Sequence, residues 1–460
     1  MLTSRQAADR LGVSQRRVIA LLQAGDLSGR RFGRSWMIDE ESVEGRARQP
    51  RLRGRPSMGV KDTTRIERYT LMNAHREVAS FAYDRVAQRI GSVRPLADAA
   101  WAPPGACGIN GEINGINLNG WVARRHIPPA RQNLAETLRA AGVANAPELM
   151  FASLGLNLSD QYWFRPEEAA LSWDEVNYFD NAYQERPASL RAKDGARKDA
   201  PQGPAGPSHH GPGASTGGQL AKWWERRAGT DYLIKGYGAL RHEPYAELLA
   251  SHLYERLLDP EDFVPYTVEE HAGEPYSVCP CFVTRSTEFV PLCDLELRFG
   301  TGYPRSRYDN YVALLERLGI PQARRQLAKM IVCDYLMANA DRHDGNLGAI
   351  RDTQTLTWAG VAPIFDNGRA FYFGATDRAE LAERLFRYEA NPFETRPGAQ
   401  LALVSDFGWF DPSTLDGFTD EIRDVFAHNT HLPSWFGEAA AEQFTRRLNR
   451  VVEAADEAAY

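Results

Sequence analysis

Asp341 stands five residues before Asn346 in the run Ala338-Asn339-Ala340-Asp341-Arg342-His343-Asp344-Gly345-Asn346-Leu347-Gly348, and the chain later reads Pro363-Ile364-Phe365-Asp366-Asn367-Gly368. These residue types suit phosphoryl transfer, which needs an aligned hydroxyl and cations held against phosphate oxygens more than covalent help from protein. One short loop offers Asp341 as a proton acceptor and Asn346 as a neutral Mg²⁺ ligand, and Asp366 would add a charged ligand. Val361 to Phe365 reads as a buried strand that delivers the Asp366 carboxylate. By itself an Asp/Asn/Gly-rich loop can also be a plain polar turn, so the reading depends on partners elsewhere.

Those partners lie upstream. Asp231-Tyr232-Leu233-Ile234-Lys235-Gly236 reads as a strand ending in lysine. Twelve residues after Lys235, Glu247 falls on a helix expected from Pro244 to Leu258, with Leu248, Leu249, Leu253 and Leu257 along its apolar side; Glu243 is the alternative glutamate. Before the strand comes Gly213-Ala214-Ser215-Thr216-Gly217-Gly218-Gln219-Leu220, then Lys222-Trp223-Trp224. A Ser/Thr/Gly turn can fold its backbone N–H groups over phosphates because glycine allows close approach and positive φ. Ser215, Thr216, Gly217 and Gly218 are therefore candidate ATP contacts, with Lys235 on the phosphates and Glu247 orienting it. Backbone groups from Cys279 to Phe282 are placed by position at the adenine. A helix from Pro321 through Asn339, with Leu327, Met330, Ile331 and Tyr335 inward, delivers the Asp341 loop. After Asp366 the chain reads as mostly helical, with Trp409, Phe410, Phe418 and Trp435 as core candidates.

The aspartate comes first in Asp341-Arg342-His343, and Asp366-Asn367-Gly368 stands where protein kinases have Asp-Phe-Gly. With Asn346 at the same spacing, this resembles the HipA-like kinases, bacterial Ser/Thr kinases often serving as toxins of toxin–antitoxin pairs. Phosphoinositide kinases share the Asp-Arg-His-x-x-Asn string. The identifiable motifs run roughly from Gly211 to Phe373. The resemblance implies an α+β, bilobal protein-kinase-like (HipA-like) fold, ATP and Mg²⁺ as cofactors, a protein substrate carrying Ser or Thr, and a separate antitoxin as a further partner. HipA-like kinases can phosphorylate a serine in their own Gly-rich loop, which ejects the loop and turns the enzyme off. Ser215 and Thr216 are the matching positions here, with Ser208 behind them. Gly211-Pro212-Gly213 departs from that group, which carries an acidic residue before Ala-Ser-Thr. His343 reads as a brace for its loop.

The head of the chain points to DNA. Residues 1–60 hold twelve Arg and six Asp or Glu, a balance of +6, so the whole-chain net of −6 leaves −12 on residues 61–460. A basic head on an acidic body fits a polyanion at one end. Thr3 or Ser4 can cap a first helix with Ala7, Ala8 and Leu11 inward; Gly12 ends it and Ser14 caps the next. The second helix, Gln15 to Ala24, buries Val18, Leu21 and Leu22 and turns Gln15, Arg16, Arg17 and Gln23 to a groove. Arg30 to Ile38 alternates as a β-hairpin wing with Gly33-Arg34 at its tip, where Arg30, Arg31 and Arg34 would grip phosphate or the minor groove. The Leu-Thr-x-x-x-Ala-Ala start and the Arg-x-Gly-Arg-x-Trp wing resemble the excisionase and MerR-type winged helix-turn-helix domains.

The elements that must position these residues divide the chain as follows: a winged helix-turn-helix domain at 1–45, a basic linker at 46–60, an accessory subdomain at 61–185, a flexible linker at 186–213, a kinase N-lobe at 214–285 and a C-lobe at 286–460. In the accessory part, Thr63 to Ile90 has helical periodicity and Gly108 to Asn119 is turn-rich. Hydrophobic residues at 43% and charged residues at 25% are those of a globular protein. No apolar run approaches the roughly 18 residues of a membrane span, so no membrane partner and a cytoplasmic location are expected. Five cysteines without framework spacing fit a reducing compartment.

Two other functions compete with a protein kinase. One is a DNA-binding regulator whose non-catalytic kinase fold senses nucleotide; the other is a small-molecule or lipid kinase.

Overall fold

The computed structural model describes residues 2–11, 13–23, 27–32, 35–40, 42–44, 66–183, 211–300, 306–375, 377–383 and 388–459. The basic linker 46–60, nearly all of the linker 186–213, Gly12 and the wing tip Gly33-Arg34 lie outside them. The chain divides into two compact units, 1–64 and 65–460.

In the first unit, Thr3 starts the helix Ser4–Leu11 with a reciprocal cap. Its Oγ1 accepts from the Gln6 N–H at 3.3 Å while Gln6 Oε1 accepts from the Thr3 N–H at 2.9 Å. Such a box satisfies two otherwise orphaned donors; a Ser/Thr N-cap is typically worth about 1 kcal/mol. The second helix is Gln15–Gln23. Strands β1 (Leu2–Thr3), β2 (Gly29–Phe32) and β3 (Ser35–Ile38) form a sheet ordered β1-β3-β2, with Arg31 opposite Trp36. Ala7, Ala8, Leu11, Val18, Leu21 and Leu22 share one core with Leu2, Leu27, Ile38 and Val43.

The second unit begins with a correction. Residues expected to follow a helical period from Thr63 to Ile90 form strands β4 (Ile66–Asn73) and β5 (Arg76–Asp84) and the start of β6 (Arg89–Pro95). The cause lies in β5, where Phe81 and Tyr83 are buried while Ser80, Ala82 and Asp84 between them are not. That period-2 pattern of aromatic residues suits a half-buried sheet. With β7 (Tyr162–Pro166) these strands make an antiparallel sheet ordered β6-β5-β4-β7. The helix Gly115–Arg125, which begins inside the stretch read as turn-rich, packs Leu118, Trp121 and Val122 into the same core.

A second sheet, ordered β10-β11-β9-β8, follows from β8 (Lys222–Arg227), β9 (Thr230–Lys235), β10 (Thr267–His271) and β11 (Glu274–Pro280). Between β9 and β10 runs the helix His242–Leu257, which buries Ala246, Leu249, Ala250 and Leu253. A third sheet, β12 (Thr287–Pro291), β13 (Gly348–Asp352) and β14 (Trp358–Val361), stands beside the helices of the C-terminal part. The strand expected over Val361 to Phe365 instead ends at Val361; beyond it Ile364 makes an isolated parallel bridge to Phe263. Helices Arg307–Arg317, Ala323–Met337, Phe418–Ala427 and Phe436–Ala459 enclose the largest core. Phe418 belongs to it fully, while Trp409, Phe410 and Trp435 pack on it partly buried. No described helix is long and apolar enough to cross a membrane.

Candidate active site

The sequence-predicted acids and lysine converge between the β8–β11 sheet and the helical part. Lys235 ends β9 with its ammonium 2.5 Å from Glu247 Oε1 and 2.5 Å from Asp366 Oδ1. Glu247 is fully buried one turn inside its helix, and its other oxygen accepts from the Asn367 N–H at 2.8 Å. Glu243, the alternative glutamate, instead accepts from the Gly238 N–H at 3.0 Å. Asp366 sits at φ 60°. A non-glycine residue in that left-handed region costs of order 1–3 kcal/mol and persists where surrounding contacts over-determine it. Here the Asp366 N–H donates to Tyr266 Oη at 3.2 Å, besides the Lys235 pair.

Across from this triad lies the loop after the helix Ala323–Met337. Asn346 is buried, and its amide NH₂ donates to the Asp341 carbonyl at 3.2 Å, leaving the amide oxygen available. Asp341 is half-buried, with its carboxylate 3.7 Å from the Arg369 guanidinium. His343 is exposed; its Nδ1 accepts from the Gly345 N–H at 3.0 Å, a contact that closes the loop on itself.

The residue that joins these parts is Arg342, which the sequence reading left without a role. It is fully buried and forms a two-point pair with Asp334, Nε to Oδ2 and Nη2 to Oδ1, both at 2.9 Å. The same guanidinium donates to the Asn346 carbonyl at 3.3 Å, to the Phe365 carbonyl and to Asn367 Oδ1 at 2.6 Å. Tyr254 Oη donates to that Asn367 oxygen as well, at 2.8 Å. A planar five-donor fork suits such simultaneous contacts in a way a lysine does not. Its place inside the Asp-Arg-His string was the available signal.

The electrostatics follow from burial and from the cations. Burial would raise the Asp366 carboxyl, but the Lys235 and then the Lys222 ammonium outweigh it and hold it well below the usual carboxylate range. Burial would likewise lower Lys235, and Asp366 and Glu247 reverse this and hold its proton firmly. The Asp341 carboxyl is pushed up, by burial first, against the pull of Arg369 and with repulsion from Asp366 added. A carboxylate raised in this way is a better proton acceptor. Lys222 is pushed down to about 7, by burial and then by Arg131.

A cavity of about 410 Å³ opens beside these groups. Its wall includes Ser215, Thr216, Gly217 and Gly218, the lysines 222 and 235, and Asn346 and Asp366; Asp341 and Glu247 stand outside that wall. Leu233, Val264 and Phe282 line it together with Cys279, Pro280, Cys281 and Val283, and the Phe365 ring lies tilted against Phe282, 5.1 Å between centroids. Ser215 is buried, with its Oγ donating to the Leu156 carbonyl; Thr216 Oγ1 donates to the Pro212 carbonyl at 2.9 Å and accepts from Trp224 Nε1 at 3.1 Å. Asp366 and Asn346 offer two oxygen donors to one cavity, a set that suits a Mg²⁺ ion shared with phosphate oxygens more than a closed protein cage. Among the described residues no trio of His, Cys, Asp or Glu forms such a cage.

In the first unit Gln15 is exposed at the start of the second helix. Arg30 and Arg31 lie on β2, but their side chains, with those of Arg16 and Arg17, and all of Arg34, fall outside the described residues.

The second unit is thus an α+β fold that brings a Gly-rich turn, strand lysine and helix glutamate on one side against the Asp341, Asn346 and Asp366 set on the other, in the order read from the motifs. Residues 1–50 match the helix-turn-helix domain family, so the N-terminal unit is a helix-turn-helix domain. No curated protein is similar to the chain in sequence. Among solved structures, the chain is similar to CtkA, a proinflammatory kinase of Helicobacter pylori, at 16% identity and a TM-score of 0.39, over 52% of this chain and 95% of that one. It is also similar to a chain of the Shewanella oneidensis MR-1 toxin–antitoxin complex of HipA, HipB and operator DNA, at 15% identity and a TM-score of 0.47, over 85% of this chain and 99% of that one.

Proposed function

We propose that this protein is a Mg-ATP-dependent serine/threonine protein kinase of HipA-like type with a DNA-binding head. The observation that carries the reading is the buried Lys235 ammonium held at once by Glu247 and Asp366 on the wall of a cavity that also contains Asn346 and a Gly-rich turn. Asn346 and Asp366 would hold Mg²⁺, and Lys235 would steady the phosphates. Bound Mg²⁺ supplies charge neutralisation on the phosphate oxygens. Asp341, its proton affinity raised by burial, orients a substrate hydroxyl and takes its proton. Arg342 holds the Asp341 loop and the Asp366 turn at a fixed separation, because its one guanidinium bonds to both. Ser215 and Thr216 are the self-phosphorylation sites of this reading, and each must first leave the carbonyl partner it holds.

The helix-turn-helix domain points to DNA as a partner of residues 1–60, with Gln15, Arg16, Arg17, Arg30, Arg31 and Arg34 in contact. Joining it to a kinase suggests a cytoplasmic toxin-type effector that also represses its own promoter, with a separate antitoxin as a further partner. The test is incubation of the protein and a host lysate with γ-labelled ATP and Mg²⁺. Label on a Ser or Thr supports the proposal. ATP binding without transfer would favour a nucleotide-sensing DNA regulator, and label on small molecules or lipids a kinase of another class.

A further inference from the structure

The Gly-rich turn has its strongest attachments outside the kinase lobes. Arg131, in the accessory subdomain, is 5% exposed. Its Nε donates to the Gly218 carbonyl at 2.7 Å and its Nη2 to the Gly217 carbonyl at 3.1 Å and to the Thr216 carbonyl. Gln132 continues the series: its N–H donates to the Gln219 carbonyl at 3.0 Å, its Nε2 to the Tyr237 carbonyl at 3.1 Å, and its Oε1 accepts from the Ala221 N–H at 3.1 Å. Four consecutive carbonyls, 216 to 219, are thereby taken by two adjacent residues.

The consequence follows from peptide planarity. In a trans peptide the N–H points opposite to the C=O of the same unit. Carbonyls of Thr216, Gly217 and Gly218 turned to Arg131 send the N–H groups of Gly217, Gly218 and Gln219 the other way. Thr216, Gly217 and Gly218 line the cavity and Arg131 does not, which fits N–H groups turned toward the cavity. None of these three N–H groups donates to an acceptor among the described residues. Gly218 holds φ +95°, which a side-chain-bearing residue rarely adopts. A row of backbone N–H groups free on one side is an anion-binding concavity. The Arg131 end is itself set by a turn at Pro128-Pro129, in which the Arg131 N–H donates to the Pro128 carbonyl at 3.0 Å.

We propose that Arg131, with Gln132, is a positioning residue for the nucleotide: it clasps the carbonyl side of the Gly-rich turn so that the N–H side is pre-set for the β- and γ-phosphates of ATP. The inference rests on the kinase reading above and adds to it a residue from another subdomain, some 85 positions from the turn it holds.

The test compares wild type, Arg131→Ala and Arg131→Lys by calorimetric binding of Mg-ATP and of adenosine, with hydrogen exchange of the 214–222 segment in nucleotide-free protein. Arg131→Ala is expected to exchange faster in that segment and to bind ATP roughly tenfold to a hundredfold more weakly, the ratio for losing hydrogen bonds to a charged group. Adenosine, which has no phosphates, should bind equally to all three, and Arg131→Lys should fall between. Unchanged ATP affinity in Arg131→Ala overturns the inference, as does an equal loss for ATP and adenosine, which would mark a general structural role. Failure of wild type itself to bind ATP overturns the kinase reading and the inference with it, and is told apart from the other failures by the wild-type arm.

Discussion

The Lys235 ammonium lies 2.5 Å from Glu247 and 2.5 Å from Asp366, so a buried cation joins the helix that follows β9 to the loop that follows β14. Replacing Glu247 by Gln leaves Lys235 paired to Asp366 alone, and Lys235 then has less reason to stay aimed at phosphates. Phosphate transfer, read as kcat/KM, should fall at least roughly tenfold, the size of one charge-assisted contact. Glu243→Gln, whose carboxylate accepts from the Gly238 N–H rather than from Lys235, should change it far less. Equal effects of the two substitutions would contradict this assignment.

Arg342 is predicted to be structural. Arg342→Ala strips the buried Asp334 carboxylate of its two-point partner. Breaking a buried pair from one side costs about 3–5 kcal/mol, and urea denaturation should show a loss of that order. Arg342→Lys should recover only part of it, because an ammonium cannot span Asp334, Phe365 and Asn367 together.

Lys222 sets a pH dependence. Its free-protein value of about 7, against an ordinary 10.5, means that it is mostly neutral above pH 7. Phosphate oxygens nearby favour the charged form. ATP binding above pH 7 should then take up a proton, roughly one per nucleotide at full effect, and affinity should decline as pH rises above 7. Calorimetry at pH 8 in two buffers of different ionisation enthalpy measures this. Lys222→Met should remove the difference between the buffers.

Residues 1–64 form a unit by themselves, so deleting them should abolish DNA binding while leaving ATP binding intact. In the full chain, affinity for the upstream DNA should fall linearly in log–log terms with salt, by a slope of about −0.9 for each phosphate contacted. Anisotropy titrations between ~50 and ~200 mM salt check both. A flat salt response would remove the arginines from the interface.

How much of this was legible in the sequence depends on how local the signal is. The helix-turn-helix core could be read because Ala7, Ala8, Leu11, Val18, Leu21 and Leu22 repeat at helical spacing within two short elements. The helix carrying Glu247 was legible for a similar reason, and its observed limits, His242–Leu257, are close to those read. Glu247 over Glu243 could not be decided from spacing, because both project from adjacent turns and only the fold of the β9 end says which meets Lys235. Residues 66–84 misled because aromatic and polar residues at short spacing satisfy two periods, and pairing with β7, some ninety residues away, selects the strand. Arg131 left no sequence signal, since a clasp across 85 positions has no period and no motif. Arg342 did sit in a motif, but its four separate attachments exist only once the loop has folded against Asp334 and Asn367.

The measurement that tests the central claim most directly is transfer of labelled γ-phosphate from ATP by wild type, Asp341→Asn and Asp366→Asn, run beside Mg-ATP binding for the same three proteins. The account predicts transfer by wild type to a Ser or Thr, Mg-ATP binding without transfer by Asp341→Asn, and loss of Mg²⁺-dependent binding together with transfer in Asp366→Asn. Transfer that survives Asp366→Asn, or wild type that binds Mg-ATP and transfers nothing, would contradict it.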